Sequence, residues 1–190
     1  STSLTATNAT LFSTDQMALG QLEGGAFFGR VGLKENQWGL FNNGGKWSSK
    51  GSSANWRGNA MSSDGKIQTA VPDGSSLVVS SDYGNTWTAK YSALTWTSVA
   101  MSNDGKIQAA TVYNGLIYIS SNYGNNWVGK GSSSTWNDIA MSGDGKFMTA
   151  VAASNQIYVS SDFGVTWTAK ESSRNWQSIA MSSDGKIQAA

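Results

Sequence analysis

Cysteine and histidine are both absent from this chain, and proline occurs once. Without cysteine there is no disulfide and no thiolate metal site, and the compartment leaves no redox signature. Without histidine the usual general base and the commonest transition-metal ligand are missing, which excludes His-dependent hydrolysis. Charge is scarce as well: 13% of residues are charged, against roughly 25% in an average soluble protein. The 13 basic and 12 acidic residues are scattered singly, giving a formal net charge of +1. No basic stripe exists to neutralise phosphates, so nucleic acid is not an expected partner. No run approaches the roughly 20 apolar residues that cross a bilayer, so membrane insertion is not expected either. The opening "STSLTATNAT" lacks the basic and apolar regions of a signal peptide. No metal and no cofactor are expected.

What remains is apolar, aromatic and small. An apolar content of 39% over 190 residues is enough for one domain with a real core. The abundance of Ser, Thr, Asn and Gly predicts a hydroxyl- and amide-rich surface. The chain is also periodic. Trp47, Trp87, Trp127 and Trp167 are 40 residues apart, and so are Trp56, Trp96, Trp136 and Trp176. Between them run "AMSSDGKIQTA", "AMSNDGKIQAA", "AMSGDGKFMTA" and "AMSSDGKIQAA", without insertion or deletion. A period in this range marks solenoids and propellers.

Within each unit, short β-rich bursts such as "GLIYIS" at 115–120 alternate with turn residues, and no helical period occurs. Asp-Gly pairs at Asp64, Asp104, Asp144 and Asp184 predict hairpins. Each unit therefore reads as four strands, here called A to D; in the second copy they fall at about 96–102, 106–112, 116–121 and 127–131. Four antiparallel strands per 40-residue unit predict an all-β propeller, each unit being one blade.

The C–D corner carries the most specific signal. "SSDYGNTW" at 80–87, "SSNYGNNW" at 120–127 and "SSDFGVTW" at 160–167 resemble the Asp-box, or bacterial neuraminidase repeat, of β-propellers, with a worn copy "LFNNGGKW" at 40–47. The resemblance implies a propeller fold with these boxes opposite the usual ligand face. It does not imply one activity, since that family includes sialidases, other glycosidases, assembly factors and receptors. Residues 56–91, 96–131 and 136–171 read as full blades, 176–190 as strands A and B of another, and 15–50 as a degenerate blade. The expectation is a single propeller domain over 1–190 with about four to five blades. The N-terminal strand 4–12, an oligomer or further sequence would close it, because an unpaired edge invites association.

The box residues Asp82, Gly84, Trp87, Asn122, Gly124, Trp127, Asp162, Gly164 and Trp167 are read as structural. Asp begins a tight turn by accepting backbone N–H groups, and glycine supplies a positive φ. Asn122 in place of Asp indicates that acceptance matters and ionisation does not. The tryptophan closing the box is expected to pack between blades. Trp56, Trp96, Trp136 and Trp176 head strand A and are open to two roles, burial between blades or stacking on a sugar. Met61, Met101, Met141 and Met181 read as core filler. The D–A and B–C loops differ most between copies and would share one face. Their departures from the repeat are Arg57, Asp73, Tyr91, Tyr113, Asp138, Glu171 and Arg174. Loops on a rigid scaffold are where recognition concentrates, and unconstrained drift is the alternative. The candidate ligand-binding residues are Trp56, Trp96, Trp136, Trp176, Arg57, Tyr91, Tyr113 and Arg174.

Catalysis is the weaker expectation. A sialidase-like site implies an arginine clamp, and this chain has only Arg30, Arg57 and Arg174. A retaining glycosidase needs two carboxylates about 5 Å apart, and the variable face offers only Asp73, Asp138 and Glu171. The reading is thus a non-catalytic binding or adhesion module for a glycan or surface protein. A structural role in a virion or surface assembly and a sialidase-like hydrolase are the alternatives. An extracellular, cell-surface or virion location and a homo-oligomer or larger assembly are expectations of the same kind.

Overall fold

The computed structural model describes residues 54–190 and the two short strands β1, Gly20–Gln21, and β2, Phe27–Phe28. The chain divides into two compact units, Ser1–Lys50 and Gly51–Ala190. In the first, β1 and β2 pair antiparallel, Gly20 opposite Phe28; the expected worn box at 40–47 and the N-terminal strand 4–12 lie outside the described residues.

The second unit is all-β: no helix occurs among its described residues. Strands β3 (Trp56–Met61), β4 (Gln68–Ser80), β5 (Thr88–Met101), β6 (Gln108–Val112), β7 (Gly115–Ser120) and β8 (Val128–Ser134) are consecutive neighbours in one antiparallel ladder. A four-stranded sheet follows, made of β9 (Trp136–Met141), β10 (Met148–Ala152), β11 (Asn155–Ser160) and β12 (Thr168–Arg174). A two-stranded pair, β13 (Ala180–Met181) and β14 (Gln188–Ala189), comes last. These are propeller blades in the predicted strand order. The strand bounds differ from expectation in three ways. Strand D of the second copy runs on to Ser134, β4 joins strands B and C of the first full blade without a break, and β5 joins strand D of that blade to strand A of the next. In later units the same D–A junction is turned by a left-handed residue, Gly131 (φ 70) or Glu171 (φ 62).

Strand B is the buried layer. Every residue of β6 and of β10 is buried, because successive side chains point to opposite faces and both faces are covered by neighbouring blades. Ala109 and Ala110 make this explicit. Ala110 belongs to a cluster with Val71, Leu77 and Val79 of the preceding blade and Trp96, Val99 and Trp127 of its own. Ala109 belongs to a second cluster with Ile117, Trp136, Ile139 and Met148, shared with the following blade. The core thus lies between blades, and small residues in strand B let the sheets approach.

Backbone bonds at a 40-residue offset tie the A–B turns together: Ser63 N–H donates to Asn103 C=O (2.8 Å), Asn103 to Gly143 (2.7 Å) and Gly143 to Ser183 (2.7 Å). At Gly143 an added Cβ would lie 2.5 Å from Ser183 Oγ and 2.6 Å from Asn103 Nδ2. These are the ends of movable side chains, and the equivalent positions carry Ser63, Asn103 and Ser183, so a side chain at 143 needs only their small displacement.

Candidate functional site

Each blade has two ends of different chemistry. At one end the A–B turn and the Asp-box corner meet, since Tyr83 N–H donates to Lys66 C=O, Tyr123 to Lys106 and Phe163 to Lys146. At the other the D–A and B–C loops meet, since Asp73 N–H donates to Asn55 C=O, Tyr113 to Thr95 and Ala153 to Thr135. The two variable loop families therefore share one end, as their sequences predict.

At the turn end, Asp82 Oδ1 accepts from the Ser80 hydroxyl (2.8 Å) and Thr86 N–H (2.9 Å), and Oδ2 accepts from the Thr86 hydroxyl (2.7 Å). Asp162 repeats this with Ser160 and Thr166. Asn122 keeps the shared part, accepting at Oδ1 from Ser120 (3.0 Å) and Asn126 N–H (2.9 Å). The threonine that uses the second carboxylate oxygen is replaced by Asn126 in that copy, so the two changes go together. The indole N–H of Trp87, Trp127 and Trp167 donates to the carbonyl of Gly84, Gly124 and Gly164 in turn, locking ring to turn. Trp127 is buried between blades, while Trp87 and Trp167 are half-buried.

Two features of this end lay beyond the sequence reading. The residue before each box glycine is also left-handed: Tyr83 (φ 62), Tyr123 (φ 61) and Phe163 (φ 61). Paired positive φ values mark a type I′ turn, closed by Asn85 N–H donating to Asp82 C=O (3.3 Å) in the first box, at a cost of about 1–2 kcal/mol for a side chain other than Gly or Asn. The Asp-Gly hairpins, by contrast, are not two-residue turns. Only the glycine has positive φ, and the loop closes through Ser62 N–H to Ile67 C=O. The buried Ser62 hydroxyl is its hub, donating to Asp64 Oδ1 (2.6 Å) and accepting from Ile67 N–H (3.0 Å), and Ser102, Ser142 and Ser182 do the same. The invariant Met-Ser step in each copy was the available signal.

These bonds hold the carboxylates ionised. Thr86 N–H and hydroxyl lower the Asp82 pKa, and the Thr166 hydroxyl, then its N–H, lowers that of Asp162 to about 2. Asp64, Asp104, Asp144 and Asp184 are lowered chiefly by their hub serines. A carboxylate whose pKa is lower folded than unfolded stabilises above the unfolded value, about 4, and loses that contribution as pH falls through the folded one. Stability should therefore decline from about pH 4 towards about pH 2 for Asp162. An Asp162→Asn variant, imitating Asn122, should show a shallower decline in acid titrations followed by circular dichroism.

At the loop end the candidates separate. Trp96 and Trp136 are fully buried, so of the two roles open to that series theirs is packing, and the stacking role is corrected there. Trp96 meets Tyr118 edge-on (5.3 Å) and Trp136 meets Tyr158 (5.2 Å). Tyr91 is drawn into the same group, 5.9 Å from Trp96 and 5.0 Å from Tyr118, and is corrected from ligand contact to packing. Burial raises the Tyr118 pKa, helped by Tyr91. Trp56 and Tyr113 remain exposed, at 41% and 49%. Arg57 is exposed and paired with Asp73 (2.7 Å), and the Arg174 guanidinium lies 5.5 Å over the half-buried Trp176 ring. Met61 is exposed, whereas Met101 and Met141 pack against the two core clusters as expected.

Asp138 is not a free carboxylate. Its Oδ1 accepts from the Ser98 hydroxyl (2.7 Å) and Ile139 N–H (2.9 Å), and its Oδ2 from the Ser178 hydroxyl (2.8 Å) and Ile179 N–H (3.0 Å). It joins the A segments of three successive units. Asp73 accepts from Arg57 and Asn55, and Glu171 lies 3.9 Å from Arg174. Among the described residues no cluster of three or more His, Cys, Asp or Glu could hold a metal ion. No helix among them is long and apolar enough to cross a membrane.

Strand order, inter-blade core and corner geometry define these units as Asp-box blades of a β-propeller. A family model described as the BNR-Asp box repeat matches residues 157–170. Similar solved structures include YCF48 bound to D1 peptide, at 18% identity over 65% of this chain and 43% of that one, with a TM-score of 0.54. An ancestral GH74 enzyme matches at 14% identity over 70% of this chain and 21% of that one, TM-score 0.56. Hydrazine synthase of Kuenenia stuttgartiensis matches at 16% over 78% and 44%, TM-score 0.61. In each of these the chain spans less than half of the other's length. What is shared is the fold. No curated protein matches this sequence.

Proposed function

We propose that this chain is a non-catalytic binding module whose ligand surface is the loop end of the blades. The observation that carries the reading is that two of the three carboxylates at this end, Asp138 and Asp73, are tied into the scaffold, leaving no free pair for a hydrolase. Asp138 is held by four donors, Asp73 by Arg57 and Asn55, and Glu171 is the neighbour of Arg174. Exposed beside them are an indole, a phenol and two guanidinium groups, from Trp56, Tyr113, Arg57 and Arg174. Aromatic side chains bind with little loss of rotamer entropy, and aromatic and arginine side chains on loops are frequent anchors of an interface. The ligand is a glycan or a surface protein; the peptide-bound state of the structurally similar YCF48 supports the protein class. The setting that suits a low-charge, hydroxyl-rich surface is a cell or virion exterior.

The test is a glycan array together with a peptide-display screen. Trp56→Ala and Tyr113→Ala should each weaken a hit by at least about tenfold, the size of one lost anchor, with thermal stability retained. Turnover of aryl glycosides abolished by Glu171→Gln or Asp138→Asn would overturn the reading in favour of a glycosidase.

A further inference from the structure

The tips of the Asp-box corners carry a feature that the fold does not need. Tyr83, Tyr123 and Phe163 stand left-handed, at φ 62, 61 and 61, a backbone state that side chains other than Gly, Asn and Asp adopt only under strain. Elsewhere the repeated turns give this state to small residues, Gly65, Gly105, Gly145 and Gly185 between strands A and B, and Gly74, Asn114 and Ser154 between B and C. The described boxes place an aromatic ring there each time. Packing does not account for it. The three rings are 43%, 44% and 44% exposed, and among the described residues none of them meets another aromatic ring. Tyr123 has a blade on either side and is as open as the other two, so the exposure belongs to the corner itself.

The tips are placed alike. Each donates its backbone N–H to the A–B lysine carbonyl of its own blade, Tyr83 to Lys66, Tyr123 to Lys106 and Phe163 to Lys146, at 3.1 Å. The glycine behind the tip rests on strand C of the preceding blade, an added Cβ falling 2.8 Å from Val79 at Gly124 and 2.6 Å from Ile119 at Gly164. The rings therefore follow one another along the turn end, one per blade, with exposed Ser81, Asn85, Ser121, Asn126 and Thr166 beside them. We propose that they form a second ligand surface, which binds a neutral β-linked polysaccharide by stacking a sugar on each aromatic face. Three observations select this ligand. Tyr and Phe interchange, so the ring face is used and the hydroxyl is not; the C–H face of a sugar with equatorial substituents calls for an aromatic face alone. Single rings set among hydroxyls and amides suit a ligand that is apolar on its faces and polar at its rim, whereas a protein partner favours a contiguous apolar patch. Charge is near balance: each A–B lysine has an aspartate two residues before it, from Asp64 and Lys66 to Asp184 and Lys186, and Asp82 and Asp162 offset the lysines of strand D. Such an end has no strong field to hold a polyanion or an anionic membrane.

The test uses the 190-residue chain in isothermal titration calorimetry with cellohexaose and chitohexaose, two neutral β-linked probes that differ in one ring substituent. At least one should bind saturably, and the matching disaccharide should bind at least about a hundredfold more weakly, because it reaches a single ring. Tyr123→Asn should weaken binding by about tenfold and leave the melting temperature unchanged or raised, since asparagine suits the left-handed turn. Tyr123→Phe should bind like the parent chain. Replacing all three rings by Asn should abolish binding, whereas Trp56→Ala and Tyr113→Ala should leave it unchanged, which separates this surface from the loop end. No binding of either hexasaccharide, binding that survives loss of all three rings, or equal affinity for the disaccharide overturns the proposal. A lower melting temperature for Tyr123→Asn also overturns it, because the ring would then be held for packing. So does ring-dependent adsorption to vesicles of phosphatidylcholine and phosphatidylserine in place of sugar binding.

Discussion

Replacing Asp138 by alanine is expected to lower the unfolding free energy by about 3 kcal/mol, measured by urea denaturation. A hydrogen bond to a charged group contributes about 1.5–3 kcal/mol, and bonds sharing one acceptor group do not add. The carboxylate takes four such bonds, two of them from serines 40 residues away on either side. Its removal leaves two backbone N–H groups, of Ile139 and Ile179, without an acceptor. Asp138→Asn, which keeps one good acceptor oxygen, should lose about half as much by the same reckoning. A neutral Asp138→Ala would mean that its four bonds contribute nothing net to holding the blades together.

The second large effect is at the box glycine. Gly124→Val should cost about 3–5 kcal/mol, because a β-branched residue at φ +75 is strained and its Cβ would lie 2.8 Å from Val79. The control is Gly65→Val, at φ +74 with nothing within 4 Å of the added atom, which should cost only about 1–2 kcal/mol. Comparing the two by thermal melting separates blade packing from backbone strain. Equal losses would show that the corner is not a seated element.

The seat also accounts for the constancy of the repeat. A one-residue change of spacing would move the box glycine off Val79 or Ile119, and the strand alternation would turn the two alanines of "QAA" at 108–110 to the wrong faces. Copies without insertions follow from cores built between blades, where each unit is the mould for the next.

Much was legible because repetition states the same constraint several times. The paired tryptophan series and the Asp-Gly and box turns predict four-stranded blades. Asn122 beside Asp82 and Asp162 already separates bond acceptance from charge, and the retained Oδ1 bonds have that form. Other features were hidden for identifiable reasons. Trp56, Trp96 and Trp136 occupy one repeat position and differ from exposed to fully buried, since exposure depends on what each blade faces. Asp138 looks like a loop carboxylate that departs from the repeat. Its equivalents Gly58, Ser98 and Ser178 reveal a strut only when the A segments are known to lie side by side.

The sequence by itself determined the strand order, the repeat length, the turn residues and the class of fold, all of which rest on local patterns within one 40-residue unit. Tertiary structure decided which side chains are free to act. Hydrogen-bond partners and burial come from the neighbouring blade, a full repeat away in the chain. For that reason Asp138 became a brace and Trp96 became core.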